Sequence, residues 1–293
     1  MGGENRAING HYFIQPVDMP SSMVAGSVAF RQGFGVLTAE LPTLASVGAA
    51  KIGRGKLQYE QKNIFLYGQR LAGTIGILNR VGIDLYAGGT AAVGGDMDAV
   101  VLLGAIAHLE VGAMPKVRIF TLDDVGLQVT LGVGVGYAHN IHISPYMMIS
   151  STIDSLTKDA SLEAQIIQQT KQVDVTPTLM VAEGVGPFGA QVFARPVIGV
   201  AGTAPGNALD WGAHLAFDVG RLTQWFPVAI TAEYMMNYPF AGGSMRHNPG
   251  GGFYYTGRRD FSLGLVGQAQ IEPQPDGTSL NMYLGQMTLQ YYF

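Results

Sequence analysis

The stretch NMYLGQMTLQYYF, residues 281–293, alternates along its length. Counting back in twos gives Phe293, Tyr291, Leu289, Met287, Gly285 and Tyr283, an apolar face with aromatics at both ends. The residues between them are Tyr292, Gln290, Thr288, Gln286 and Leu284, which are mostly polar. A period of two places these sets on opposite faces of a strand, and about ten residues is the length that crosses a bilayer when tilted. The last residues of a soluble domain usually fray and are seldom so apolar. The competing reading is a C-terminal strand of a soluble β-sandwich.

Composition separates the two. Only 13% of the 293 residues are charged, roughly half the usual soluble share of about 25%. Gly accounts for 41 positions and hydrophobic residues for 47%. So little charge cannot coat a soluble globule of this size. The net charge of −4 and the lack of a clustered basic face argue against a nucleic-acid partner. Cysteine is absent, which removes disulfides, Cys-ligated metals and thiol catalysis together. A helical membrane bundle fails on length: AVVLLGAIAHL, residues 99–109, is the longest apolar run, against the ~20 residues of a spanning helix. No charged-then-apolar leader opens the chain, so export is expected to rely on a leader outside this sequence.

The same alternation recurs throughout. Residues 127–137 set Leu127, Val129, Leu131, Val133, Val135 and Tyr137 against Gln128, Thr130 and three glycines. Residues 210–220 set Trp211, Ala213, Leu215 and Phe217 against Gly212, His214, Ala216 and Asp218. Residues 227–238, 173–184, 80–88 and 259–270 behave alike, and 27–41 alternates as well. In a soluble sandwich the non-core face is rich in Lys, Glu and Arg. Here it is Gly, Thr, Gln and Asn, which suits the crowded inner wall of a closed barrel whose apolar face meets lipid. Turn residues cluster at 204–208, 221–227, 246–252 and 272–279. Aromatics near strand ends (Tyr137, Tyr146, Trp211, Trp225, Phe226, Tyr238, Phe240, Phe253, Tyr254, Tyr255, Tyr283) read as interfacial girdles. The expectation is an all-β, antiparallel, up-and-down transmembrane barrel of about 12 strands, with 10–14 as the range. Residues 1–22 are expected to be an N-terminal periplasmic segment ahead of one barrel domain, 23–293.

Two segments do not alternate. Residues 95–112 are apolar all round, open with acids and close on Gly112, which predicts a short helix in a loop or the lumen, or else a misread strand pair. Residues 151–172 carry Leu156, Ala160, Ala164 and Ile167 at helical spacing and predict a helix on the rim.

The ending MTLQYYF, with Phe293 last, Tyr291 two before it, and Leu289, Met287 and Tyr283 continuing the apolar face, resembles the C-terminal assembly signal of bacterial outer-membrane β-barrel proteins. The resemblance implies residence in the outer membrane, contact with its lipid, and recognition of this strand by the barrel-assembly machinery. It also implies that the last strand closes against the first.

Enzymatic outer-membrane barrels need Ser/His or Asp/His groups converging on one wall. His139, His142 and Ser144 form the one His cluster, but the two histidines have opposite strand parity. His214 and Asp218 share a face but lie about 13 Å apart along the strand. The expectation is therefore no catalysis, no metal and no cofactor. Parity assigns Arg80, Asp84, Asp174, Arg195, His214, Asp218, Glu233 and Asp260 to the lumen as pore-lining candidates. That set describes a passive channel for small polar solutes with a mildly acidic lumen. One alternative is a non-conducting barrel that anchors protein partners in a cell-envelope complex. A second is a channel for hydrophobic compounds. A trimeric porin is usually longer, which favours a monomer.

Overall fold

The computed structural model describes residues 7–9, 11–51, 56, 58–77, 79–143, 167–203, 206–223, 225–242, 244–273 and 279–293. Twelve strands form a closed barrel. In chain order they are β3 (Ser27–Pro42), β4 (Tyr59–Ile77), β5 (Val81–Gly94), β6 (Ala105–Leu122), β7 (Leu127–Ile143), β8 (Ile167–Val185), β9 (Phe188–Gly202), β10 (Asn207–Asp218), β11 (Val228–Pro239), β12 (Arg246–Tyr255), β13 (Phe261–Pro273) and β14 (Ser279–Tyr292). Each pairs antiparallel with its sequence neighbours, and β14 returns to β3 from Asn281↔Thr38 to Tyr292↔Ser27. A small separate sheet, β1 (Ala7–Ile8) with β2 (His11–Tyr12), precedes them.

The alternation sorts the two faces as expected, and the sense is inverted relative to a soluble sandwich. Leu215, Leu265, Phe253 and Phe34 are 58–63% exposed on the outside. Gln128, Thr130, Thr231, His214, Glu233 and Gln290 are buried on the inside. A continuous apolar exterior of this kind aggregates in water and is stable only against lipid. Even the 10 residues of β12 extend to about 33 Å, enough to cross a hydrocarbon core at ordinary tilt. Among the assembly-signal positions, Tyr283, Met287, Tyr291 and Phe293 are exposed on this outer face, and Leu289 is half-buried beside them.

One end of the barrel carries the turns after β4, β6, β8, β10 and β12 together with Phe293. We call it the turn end. The other end carries α1 (Leu44–Lys51), between β3 and β4, and α2 (Met97–Leu103), between β5 and β6.

Several expectations change. The 95–112 segment is one short helix and then a strand. Asp96 caps α2 by accepting from the Ala99 amide at 2.8 Å, and Gly104, at φ 69°, turns the chain out of the helix into β6. Leu109 and Val111 then face lipid, which accounts for the unbroken apolar run. Residues 167–172 belong to β8 rather than a helix, and the rest of the 151–172 expectation lies outside the described residues. RHNPGGG, read as a turn, lies in β12. Its glycines lie against the neighbouring strands: a Cβ at Gly250 would stand 3.0 Å from the Gln268 side chain and one at Gly252 2.7 Å from that of Val266. Tyr254, assigned to the outer girdle, is 2% exposed and points inward among Ile14, Val17, Ala216, Ala229 and Val266.

The largest change concerns residues 1–22. Their described part does not stand outside the barrel but fills the turn-end half of its interior. The buried apolar clusters each combine this segment with the wall: Ile8, Phe13 and Met23 with Ala182, and Met19 with Met114, Met180 and Phe193. Full burial of such a side chain is worth roughly 1.5–3 kcal/mol, so this is where the protein keeps its apolar core. Pro16 and Pro20 hold the segment extended and exclude a helix.

Candidate functional site

The segment from Phe13 to Gly26 enters the lumen at the turn end, reaches inward to Asp18 and returns to β3. The wall holds it mainly through its backbone. Both Glu233 carboxylate oxygens accept from the Val17 amide, at 3.0 and 3.1 Å. Arg31 donates to the carbonyls of Val17 and Pro16. Gln191 accepts from the Ser22 amide at 2.9 Å and donates to the Pro20 carbonyl at 2.7 Å. Lys116 Nζ donates to the Ser21 carbonyl at 2.9 Å. Gln128 and Thr130 both donate to the Ser22 carbonyl, at 2.6 and 2.9 Å. An extended peptide buried without such partners would carry several unsatisfied polar groups. These wall residues remove that penalty, and the buried polar positions of the alternating strands find their use here.

Beyond the tip, toward the helix end, two polar cavities of about 230 and 340 Å³ remain. Asp18, Arg31 and Arg70 line both. Most charges around them are paired. Lys116 meets Asp84 at 2.8 Å, and Thr74 donates to the same carboxylate at 2.7 Å. Arg195 meets Asp210 at 2.6 Å, and Asn237 donates to the other oxygen of Asp210. Arg70 Nε lies 3.5 Å from Glu110, and its guanidinium covers the Tyr86 ring at 4.4 Å.

The eight pore-lining candidates divide as follows. Asp84, Asp174 and Arg195 line the larger cavity. Glu233 faces the lumen and is committed to Val17. His214 is fully buried, with Nε2 3.8 Å from Glu233. Asp218 is inward but sits at the turn end, accepting from the Gly220 amide and the Thr256 hydroxyl. Arg80 and Asp260 are not in the lumen. Arg80 belongs to the β4–β5 turn and is exposed, and Asp260 lies in the turn before β13, paired with Arg258 at 2.6 Å. Strand parity was extended past the strand ends in both cases.

Sequence reasoning missed Asp18, Arg31, Arg70, Glu110, Lys116 and Asp210. Arg31 and Asp210 carry the inward parity of segments already read as alternating. Glu110 was hidden by the helical reading of 95–112, and Lys116 lies just past that segment, where no alternation was read. Asp18 had no strand to assign it.

No protein-family model matches the chain, and no curated protein matches it. Solved structures do. The translocator domain of autotransporter NalP from Neisseria meningitidis has a TM-score of 0.52 at 7% identity, covering 92% of this chain and 89% of that one. The COG4313 outer membrane channel from Pseudomonas putida F1 has 0.51 at 9% identity, covering 96% and 100%. The transport unit of the autotransporter AIDA-I from Escherichia coli has 0.50 at 10% identity, covering 96% and 94%. These likenesses concern the fold. With the closed barrel and its lipid-facing belt, they show that this chain has the fold of bacterial outer-membrane β-barrels.

Proposed function

We propose that the chain is a passive outer-membrane channel for small polar solutes, closed in its turn-end half by residues 13–26. The supporting observation is the division of the lumen. Among the described residues one half of the lumen is left as cavities lined by polar and charged side chains, and the other is filled by a segment that runs into the barrel wall only at Gly26. Its bonds to the wall are about 0.5–1.5 kcal/mol net for neutral pairs and about 1.5–3 kcal/mol for those to Glu233, Arg31 and Lys116, so opening is a partial withdrawal that leaves the barrel strands paired. The reading is of a non-enzymatic protein. The C-terminal strand serves assembly, with Phe293 at its end offered to the barrel-assembly machinery.

The test is planar-bilayer conductance of the purified protein. Discrete openings support a channel. A folded, heat-modifiable barrel that stays silent at all voltages contradicts it and favours the non-conducting anchor, a reading supported by the pairing of Asp84, Asp210 and Glu110.

A further inference from the structure

We propose that Arg31, Arg70 and Gln268 form a subsite for the carboxylate of a small polyhydroxylated acid, and that Asp18 occupies it as an internal competitor. The channel reading enters only in how the ligand arrives. Arg31 and Arg70 are direct partners in the β3–β4 register, and both face the lumen. Like charges opposed across a ladder are unfavourable, and withdrawing guanidinium groups from bulk water adds to that cost. An anion between them offsets both.

The wall is built to hold this pair. Arg70 lies flat on Tyr86, and Tyr86 can lie there because position 112 is Gly: a Cβ would come within 2.5 Å of the ring. Gly88 likewise leaves room for the Arg70 stem, where a Cβ would stand 3.2 Å from its Cγ. Arg70 is thus in place before any ligand comes, and such pre-organisation is what makes a guanidinium an effective carboxylate receptor. Arg31 is 6% exposed, and its Nε has no partner.

Asp18 fills the subsite incompletely. Gln268 donates to its carboxylate at 2.8 Å, and Asp18 lines both cavities together with Arg31 and Arg70. Among the described residues Asp18 makes no direct ion pair with either arginine. Arg31 spends both terminal nitrogens on the Val17 and Pro16 carbonyls, so the paired contacts that give arginine its strength toward carboxylates stay open on Arg70, with the Arg31 charge beside them. The rest of the smaller cavity mixes amide and hydroxyl groups with Glu110 and with apolar Ala269, Met282 and Leu284: Gln286 donates to Gln268 at 2.8 Å, and Gln270, Thr90 and Asn248 line it too. The Asn248 Oδ1 is buried without a partner. Amides and a hydroxyl beside the two guanidinium groups suit a hydroxylated carboxylate, which meets Glu110, 3.5 Å from Arg70 Nε, as the opposing charge.

Titration calorimetry of the detergent-folded full chain tests this with gluconate and sorbitol, which share a six-carbon polyol chain and differ in the carboxylate. Gluconate is expected to bind at least tenfold more tightly than sorbitol. Asp18→Asn is expected to tighten gluconate about tenfold, and Arg70→Gln to remove the preference. Arg70→Gln leaves every bond to the segment in place, so it stands alone if Asp18→Asn disturbs the tip. Equal binding of the two polyols, no binding at all, or a gluconate affinity indifferent to both variants overturns the proposal. Calorimetry does not require conduction. A barrel that binds gluconate but never opens removes the channel and keeps the subsite, and an open channel without gluconate binding does the reverse.

Discussion

The amide of Phe293 donates to the carbonyl of Gly26 at 3.1 Å, and a Cβ at position 26 would come within 2.9 Å of the Phe293 ring. The last residue of the chain thus sits on the point where the luminal segment becomes the first barrel strand. Barrel closure and seating of the segment share one contact.

Phe293→Ala is expected to lower the yield of assembled barrel several-fold, and Gly26→Leu to disturb the same joint while sparing the outer face. Heat-modifiable migration reads the assembled fraction. Protease protection of residues 13–24 reads the seating. A Gly26→Leu barrel with unchanged protection would contradict the coupling.

Glu233 accepts from the Val17 amide next to the tip of the segment. Glu233→Gln keeps the shape and removes the charge, and hydrogen bonds to charged groups are worth about 1.5–3 kcal/mol. Amide exchange at Val17 and Asp18 is therefore expected to rise about tenfold or more, with exchange in β7 and β8 unchanged. Equal protection in the two proteins would mean that Glu233 does not hold the segment.

Lys116 has no exposed side-chain surface and meets both Asp84 and the Ser21 carbonyl. Removing one partner of a buried pair leaves the other charge uncompensated, at about 3–5 kcal/mol. Lys116→Met is expected to lose stability on that scale in urea titrations of lipid-refolded protein. Adding Asp84→Asn should recover much of it, because Thr74 still bonds position 84. Additive losses in the double variant would exclude the pair as the cause.

Gly112→Val puts a branched carbon where the Tyr86 ring lies. Overpacking of this kind destabilises by typically 1–3 kcal/mol, and here it also lifts the platform under Arg70. A lower melting temperature is expected, reduced further than in Gly267→Val, since a Cβ at Gly267 meets nothing within 4 Å.

The barrel itself was legible in the sequence because period-two alternation fixes both the strands and their faces, as at Leu127–Tyr137. The choice of lipid over water followed from the Gly, Thr and Gln on the other face. What alternation cannot carry is whatever lies outside the strands. Arg80 and Asp260 were placed inward by continuing a rhythm past its end. The luminal segment was missed for the opposite reason. HYFIQPVDMPSSMV has no period, because an extended peptide enclosed by wall on all sides is buried on every face. Its signal was available in another form: Asp18 is the one charged residue in a run of apolar and small polar residues punctuated by proline, which is a composition unsuited to an exposed tail.

Residues 13–26 close the lumen and, if the protein conducts, must be able to leave it. The chain has no native cysteine, so a pair introduced as Ser22→Cys and Thr130→Cys, where the Thr130 hydroxyl donates to the Ser22 carbonyl at 2.9 Å, locks the segment specifically. Bilayer conductance of this variant is expected to be absent when oxidised and to appear as discrete openings after reduction. Equal conductance in the two states would contradict the account, because the path would then bypass the segment.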